Sequence, residues 1–432
     1  MEEFRNDEGA DGAPPGPHRD GPNGGHADPV SVPVEAGGSA RQANASGAGR
    51  TVSAPAQPGP AHRSTPAAST SQPVPAAPPV PPPVYGALDL GTNNCRLLLA
   101  KPSRRGFRVV DAFSRIIRLG EGVGQTGRLS PEAMARTMEA LRICAEKLKR
   151  ADVRRSRLVA TEACRLAGNA PEFLAEVKAR LDLDIEILTP EAEARLAVSG
   201  CISLADPEAD FVLVFDIGGG SSELAWLDLS RGRAGKTPSR TDGRDSAPPD
   251  RIQVDRSLVA WTSLPVGVVT LAERFGGQFV TPAVFDAMVA HVAAMLDAFE
   301  ARHGFRARTA GRKVHLLGTS GTVTTVAGIQ MGLQRYDRNR VDGSWLSVAD
   351  ARHVTQRLLG QTYEQRIAEP CIGRDRADLV LAGCAILEAV LATWPCERLR
   401  VADRGLREGI LSSLMHEDGA HRSRRRRHGR RR

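Results

Sequence analysis

Asp89 and Asp216 each end an apolar stretch and run directly into a glycine turn carrying small hydroxyl or amide side chains. The first segment reads Leu88-Asp89-Leu90-Gly91-Thr92-Asn93-Asn94, the second Phe215-Asp216-Ile217-Gly218-Gly219-Gly220-Ser221-Ser222-Glu223. A carboxylate delivered into such a turn suits phosphate together with a divalent cation. Glycines let the backbone approach the anion, free N–H groups form a nest, and the carboxylate takes the metal. Asp216 and Glu223 stand seven residues apart (223 − 216 = 7), on the two arms of an expected hairpin, where both reach one Mg²⁺ or Mn²⁺. Asp89 faces them from the other half. Gly91, Thr92, Asn93, Asn94, Gly218, Gly219, Gly220 and Ser221 are the expected phosphate-binding residues, and Arg165, just after a short strand, is the expected clamp on the anion. An Asx turn or a strand-end carboxylate would explain either segment alone. The pair, 127 positions apart (216 − 89 = 127), points to two halves closing on a phosphate chain.

These residues need elements to hold them. Val84 to Leu90 reads as a strand, Cys95 to Ala100 as its hairpin partner, and Phe107 to Ile117 as a third strand. Ser130-Pro131-Glu132 opens a helix through Met134 to Lys149, with a hydroxyl N-cap, proline at the first helical position and an acid in the first turn. A strand (Arg157 to Ala160), the segment Thr161 to Arg165, a helix (Ala170 to Leu181) and a strand (Ile185 to Leu188) follow. Thr189-Pro190-Glu191-Ala192-Glu193 then opens a helix reaching Ser203, with Glu193 near its start. From Phe211 the plan repeats: strand, glycine turn, strands 223–228 and 257–264, helices from Val268 and over Thr281 to Ala301. Strand Lys313 to Leu317 enters a third turn, Gly318 to Thr322, and a last strand ends at Asp403 before a closing helix. Strand hairpins followed by helix–strand alternation, done twice, predict an α/β fold with two mixed sheets. Ligands sit at the carboxyl ends of such strands, so all four turns are expected to face one central cleft.

The net charge of +8 over 432 residues misleads until it is located. Eight arginines and no acid lie in 422–432, so the other 421 residues sum to zero (8 − 8 = 0). A basic tail, 417–432, is therefore expected to be a disordered arm able to touch a polyanion, nucleic acid included. Residues 1–84 are Pro, Ala, Gly, Ser and scattered charge, too poor in apolar clusters to offset ordering entropy, and read as a second disordered arm. Between the arms lie two expected lobes, 85–206 and 207–416, the second with a mobile Arg/Gly/Ser/Asp/Pro insertion at 230–256. No run of 18 apolar residues and no signal-like N-terminal stretch occurs, so neither a membrane partner nor secretion is expected, and the compartment expected is the cytoplasm. The seven cysteines show no C-x-x-C and no histidine-paired spacing, which reads as small core residues in a reducing compartment.

The turns, in this order, resemble the exopolyphosphatase / guanosine pentaphosphate phosphatase family of the actin, Hsp70 and sugar-kinase (ribonuclease H-like) superfamily. Alongside the two aspartate turns, the resemblance rests on Ala160 to Asn169, Glu193-Ala194-Arg195-Leu196, Leu264-Pro265-Val266-Gly267, Gly318 to Thr322 and Asp403 to Ile410. It implies two actin-like subdomains around a cleft, and hydrolysis of a terminal phosphate with Mg²⁺ or Mn²⁺, from inorganic polyphosphate or guanosine pentaphosphate. It also implies Glu193 as the general base that aligns the water. Gly318, Ser320, Gly321 and Thr322 match the superfamily's nucleoside-side turn, with their role in a polyphosphate enzyme left open. A homodimer is likewise left open. Two departures stand out. Ala192 replaces the first of the two adjacent acids usual before Ala-Arg-Leu, and only 22 residues follow Ile410 (432 − 410 = 22), where longer members carry an extra helical domain. The short form favours polyphosphate or mixed activity.

Competing readings are an ATP-using kinase of the same superfamily, a non-catalytic sensor of polyphosphate or guanosine tetraphosphate, and an RNA-associated protein acting through the arginine tail. The first lacks a reason for Glu193-Ala194-Arg195-Leu196, the second for retaining Glu193 and Asp216, and the third for the turns. Gly235-Lys236-Thr237 ends like a Walker motif, but Ser230 stands where that motif needs glycine. Arg302-His303-Gly304 ends an expected helix instead of following a strand.

Overall fold

A computed structural model of the chain describes residues 81–103, 106–230 and 254–420. The expected N-terminal arm up to residue 80, most of the expected insertion (231–253) and the arginine block from 421 lie outside the described residues.

One plan builds both sheets. In the first, β1 (Val84–Leu90) pairs antiparallel with β2 (Asn94–Ser103), and β2 with β3 (Gly106–Ile116). β4 (Val153–Ala160) and β5 (Ile185–Ile187) add in parallel on the other side of β1, for the order β3-β2-β1-β4-β5. In the second, β6 (Phe211–Ile217), β7 (Ser222–Asp228) and β8 (Leu258–Leu264) repeat the antiparallel run. There β9 (Val314–Thr319) and β11 (Arg398–Ala402) repeat the parallel pair, and β10 (Trp345–Ser347) adds an antiparallel edge. β1 and β6 are central and covered on both faces, which is why they read as unbroken apolar runs. Every residue of each is buried but one, and that one is the aspartate.

Three long helices start as their sequences predict. Ser130, Thr189 and Thr281 each accept, through the side-chain hydroxyl, the N–H three residues on, and a proline follows each cap. The resulting helices are Pro131–Arg150, Pro190–Cys201 and Pro282–His303. The last is the one described helix long and apolar enough, by length and composition, to cross a membrane. Its Phe285, Met288, Val292, Leu296 and Phe299 lie in the core of the second sheet. The expected outline placed no helix between Thr322 and Leu399, yet Gly321–Gln330, Val348–Leu359 and Val380–Thr393 fill that stretch. Val380–Thr393 has twelve buried residues among its fourteen, so it shows no polar face from which to read a helical period. All seven cysteines are free thiols, and six are buried.

Chain order assigns the closing helix, Leu406–Glu417, to the second lobe, 207–416. Its Leu406, Ile410, Leu411, Leu414 and Met415 instead pack on Tyr85, Ala87, Leu98, Ala100 and Val159 of the first sheet. The helix Pro190–Cys201 runs against it so closely that a Cβ on Gly409 would stand 2.9 Å from the carbonyl carbon of Leu196. The other side of Pro190–Cys201, through Val198 and Cys201, packs on Val212, Val214, Ala225 and Leu227 of the second sheet. One helix therefore touches both sheets, and Glu193 lies in its first turn.

Candidate active site

β1 and β6 deliver their aspartates into turns of the same construction. Gly91 N–H donates to Asn94 O and Gly218 N–H to Ser221 O, both at 2.9 Å. The turn carbonyls are then anchored from outside. Thr92 O accepts from Gly120 N–H at 2.9 Å, and Asn93 O from Ile117 and Arg118 N–H at 2.9 and 3.1 Å. In the second turn Gly218 O accepts from Val268 N–H at 3.0 Å and Gly219 O from Val269 N–H at 2.8 Å, both at the start of the helix Val268–Phe275. With the carbonyls held back, the amides of Thr92, Asn93, Gly219 and Gly220 have no acceptor among the described residues. Successive free N–H groups of this kind make an anion nest. The two nests also touch: a Cβ on Gly220 would stand 2.7 Å from Thr92 Oγ1, and one on Gly219 2.9 Å from Thr92 Cβ. Glycine is required there by close approach.

The charges are arranged around these nests. In the ladders Asp89 lies opposite Arg96, and Asp216 opposite Glu223. Glu223 is buried, and its Oε1 accepts from Ser221 Oγ at 2.6 Å and Ser263 Oγ at 2.8 Å. Glu193 Oε2 accepts from Arg165 Nη1 at 2.8 Å. Arg165 also donates from Nη1 to Leu188 O at 2.8 Å, and from Nε and Nη2 to Glu162 Oε2 at 2.9 and 2.6 Å. Its guanidinium is thus engaged by two carboxylates and a carbonyl, and Arg165 is not among the described residues that line the cleft. The expected anion clamp is, in this structure, a brace on Glu193.

Burial pushes the Asp216 carboxyl up to about 7, with the Glu223 charge adding to it. Burial likewise raises Asp89 and Glu223. Glu193 is held well above the usual carboxylate range, first by burial and second by the Glu223 charge. Four carboxylates facing one cleft, Glu223 buried and Asp89, Glu193 and Asp216 largely so, favour positive charge there. No three His, Cys, Asp or Glu side chains among the described residues converge closely enough to cage an ion, so Asp89, Asp216 and Glu223 do not form a three-carboxylate cage. The donor set fits the way Mg²⁺ is usually held: one or two carboxylates, with water and phosphate oxygens supplying the rest.

The third turn divides. Gly318 lies within β9, where a Cβ would stand 2.6 Å from the Phe215 ring, so it is a packing position and not part of the cleft lining. Ser320, Gly321 and Thr322 do line the cleft. Ser320 has φ 99°, a conformation that costs a non-glycine residue on the order of 1–3 kcal/mol. Its buried hydroxyl has no partner among the described residues, and the same holds for Asn93 Oδ1 and Asn94 Oδ1. The sequence reading missed Arg96, Thr161, Glu162, Thr325 and Arg376 on the cleft wall. Arg96 carried a signal: it follows Asp89 by the same seven residues (96 − 89 = 7) that separate Glu223 from Asp216. Arg376 comes from the short turn Arg374–Arg376 between helices, and nothing local marks it.

Comparison with known proteins agrees with this geometry. The model of the Ppx/GppA phosphatase family matches residues 99–418. Exopolyphosphatase 2 of Mycobacterium tuberculosis is 30% identical over 350 residues, covering 76% of this chain and 97% of that protein. The crystal structure of the Aquifex aeolicus member of the Ppx/GppA family superposes with a TM-score of 0.61 at 27% identity, over 78% of this chain and 99% of its own. An exopolyphosphatase from Cytophaga hutchinsonii shares the fold, with a TM-score of 0.64 at 23% identity over 78% of this chain and 98% of its own. Two duplicated mixed sheets, paired aspartate turns and a match over most of the described chain lead to one conclusion: this protein belongs to the Ppx/GppA phosphatase family and has its actin-like fold.

Proposed function

We propose that the chain is an exopolyphosphatase, releasing the terminal phosphate of inorganic polyphosphate by in-line attack of water. The observation that carries this reading is the pair of touching amide nests, Thr92–Asn93 and Gly219–Gly220, set beside a carboxylate braced by an arginine. The four free amides receive the oxygens of the terminal phosphate, and the close approach of the nests holds that group in one orientation. Glu193 is the general base. Arg165 fixes its Oε2, and its Oε1, free of hydrogen bonds among the described residues, accepts the proton of the attacking water. As the water oxygen bonds to phosphorus, the bond to the bridging oxygen breaks and the shortened chain leaves with that electron pair. The raised affinity of Glu193 for a proton suits the role, because a carboxylate with the usual pKa is a weaker base at neutral pH. Asp216 and Glu223 would hold Mg²⁺ or Mn²⁺, whose contribution when bound is charge neutralisation at the phosphate oxygens. The arginine-rich tail offers a polyanion a second handle.

Guanosine pentaphosphate is retained as a second substrate because Ser320, Gly321 and Thr322, which resemble the superfamily's nucleoside-side turn, stand on the cleft wall. Phosphate release from long-chain polyphosphate and from guanosine pentaphosphate, measured side by side with Mg²⁺, tests both. Release from polyphosphate at the higher kcat/KM is expected. Release from neither would overturn the reading.

A further inference from the structure

A second cavity, of about 850 Å³, opens at the amino-terminal ends of β9 and β11, the ends opposite the cleft. On one face of the sheet it brings together Lys313, His315, Trp345 and Arg398, with Arg400 next along the strand. The guanidinium carbons of Arg398 and Arg400 lie 4.3 and 4.9 Å from the centre of the Trp345 ring, and the His315 ring lies 5.0 Å from it. Neither arginine, nor the Lys313 side chain, has a carboxylate partner among the described residues. Two acids stand on the cavity wall, Asp206 and Glu397. Asp206 Oδ1 accepts from Glu208 N–H at 2.9 Å within its own turn.

Donors without acceptors give the cavity its direction. His315 is only 4% exposed, and its Nδ1 accepts from Asp206 N–H at 2.8 Å. The ring proton therefore sits on Nε2, which is buried and has no partner among the described residues. Behind the cavity lining, Arg400 Nε is a second buried donor without an acceptor among the described residues. Burial, opposed by the Asp206 charge and helped by Arg400 and Arg398, holds the His315 pKa down to about 4, so at neutral pH the ring is uncharged and its Nε2–H is a standing donor. Buried donors in native proteins are matched by acceptors, and with Lys313, Arg398 and Arg400 making no ion pair among the described residues, an acceptor that is also an anion suits the cavity best.

We infer that this cavity is a second binding site, separate from the catalytic cleft, for a small phosphate-class oxyanion. Trp345 is already faced by two guanidinium groups and an imidazole, which leaves no free platform for a nucleobase, so the recognised chemistry is the oxyanion itself. Free inorganic phosphate and the end of a polyphosphate chain both carry it.

The test uses the full chain, labelled with ¹⁵N at histidine, arginine and glycine and titrated at constant ionic strength with inorganic phosphate and then with tripolyphosphate. A saturable shift of the His315 Nε2–H and Arg400 Nε–H signals is expected. Arg398→Ser, at an exposed position, should weaken that response roughly tenfold while leaving the phosphate response of the Gly219 and Gly220 amides in place. Response to inorganic phosphate alone identifies the free anion, and response only to tripolyphosphate identifies a chain end. Unmoved His315 and Arg400 signals would overturn the inference, as would a linear, non-saturating drift or a response that Arg398→Ser leaves unchanged. Because the readout is binding away from the cleft, it stands or falls separately from the proposed hydrolysis.

Discussion

Gly267→Ala puts one methyl group against the second nest. Gly267 has φ −133° and ψ −178°, extended backbone that any residue adopts, so the objection to a side chain there is space alone. A Cβ would stand 2.6 Å from Gly220 N and closer still to the Gly219 carbonyl. Ordinary separations of such atoms are about 3.5 Å, so the nest must give way by about 1 Å. Because the obstacles are main-chain atoms, no rotamer change relieves them. The same displacement pulls on Val268 N–H to Gly218 O and Val269 N–H to Gly219 O, the two bonds that aim the free amides at the cleft. Overpacking of this kind costs about 1–3 kcal/mol, within the stability of an ordinary domain, so the variant should fold. A misplacement of about 1 Å in substrate-positioning groups costs roughly 10²-fold in rate. The expected result is therefore a fall of roughly 10²-fold in kcat for phosphate release from polyphosphate, with a modest drop in the urea midpoint. Gly124→Ala, at an exposed glycine with nothing within 4 Å of the added carbon, is the control and should leave both unchanged. Near-native turnover by Gly267→Ala would refute the claim that the Gly219–Gly220 amides position the phosphate.

Glu193→Gln keeps the shape of the side chain but cannot take the water's proton, so kcat should fall by roughly 10²-fold or more, with KM little changed; native turnover would remove Glu193 from the chemistry. Steady-state rates should vanish in EDTA and return with Mg²⁺ or Mn²⁺, and Asp216→Asn should raise the metal concentration needed for half activity; full activity in chelator would make the cleft acids structural. For His315 the folded pKa of about 4 lies below the ordinary 6.5, so the unfolded chain binds more protons between those values. That stabilisation is complete above 6.5 and is lost as pH falls toward 4, by about 2 kcal/mol between pH 7 and 5. Urea unfolding at the two pH values should show this loss, and His315→Gln should flatten it; an equal slope in the variant would assign the loss elsewhere.

Much of the cleft was readable from local chemistry. A strand that ends in aspartate and a glycine turn is specified by a few adjacent residues, so Asp89, Asp216 and both nests follow from short segments read one at a time. The caps Ser130, Thr189 and Thr281 are equally local, and so are the helix starts they set. Even Arg96 was within reach, because the two hairpins repeat one spacing and the partner of Asp216 marks the partner of Asp89. The helix Val380–Thr393 was not, since a segment buried all round loses the polar face that gives a helical period its signal.

What the sequence by itself determined is the set of turns, their order and the duplication, each encoded by neighbouring residues whose backbone needs are met within a few positions. What only the tertiary structure decided is who meets whom. Arg165 and Glu193 are 28 residues apart (193 − 165 = 28), and their pairing exists because Glu162–Leu166 and Pro190–Cys201 begin where β4 and β5 end. The closing helix returns to the first sheet because its Leu406, Ile410, Leu411 and Leu414 complete the cover that Leu188 and Leu196 begin over the apolar face of Tyr85, Leu98 and Val159. His315 and Arg400 lose their acceptors only when β9 and β11 pair in register and bury them. Desolvation belongs to no segment of chain, and so the raised carboxylates of the cleft and the lowered histidine at the sheet's far end appear only in the assembled fold.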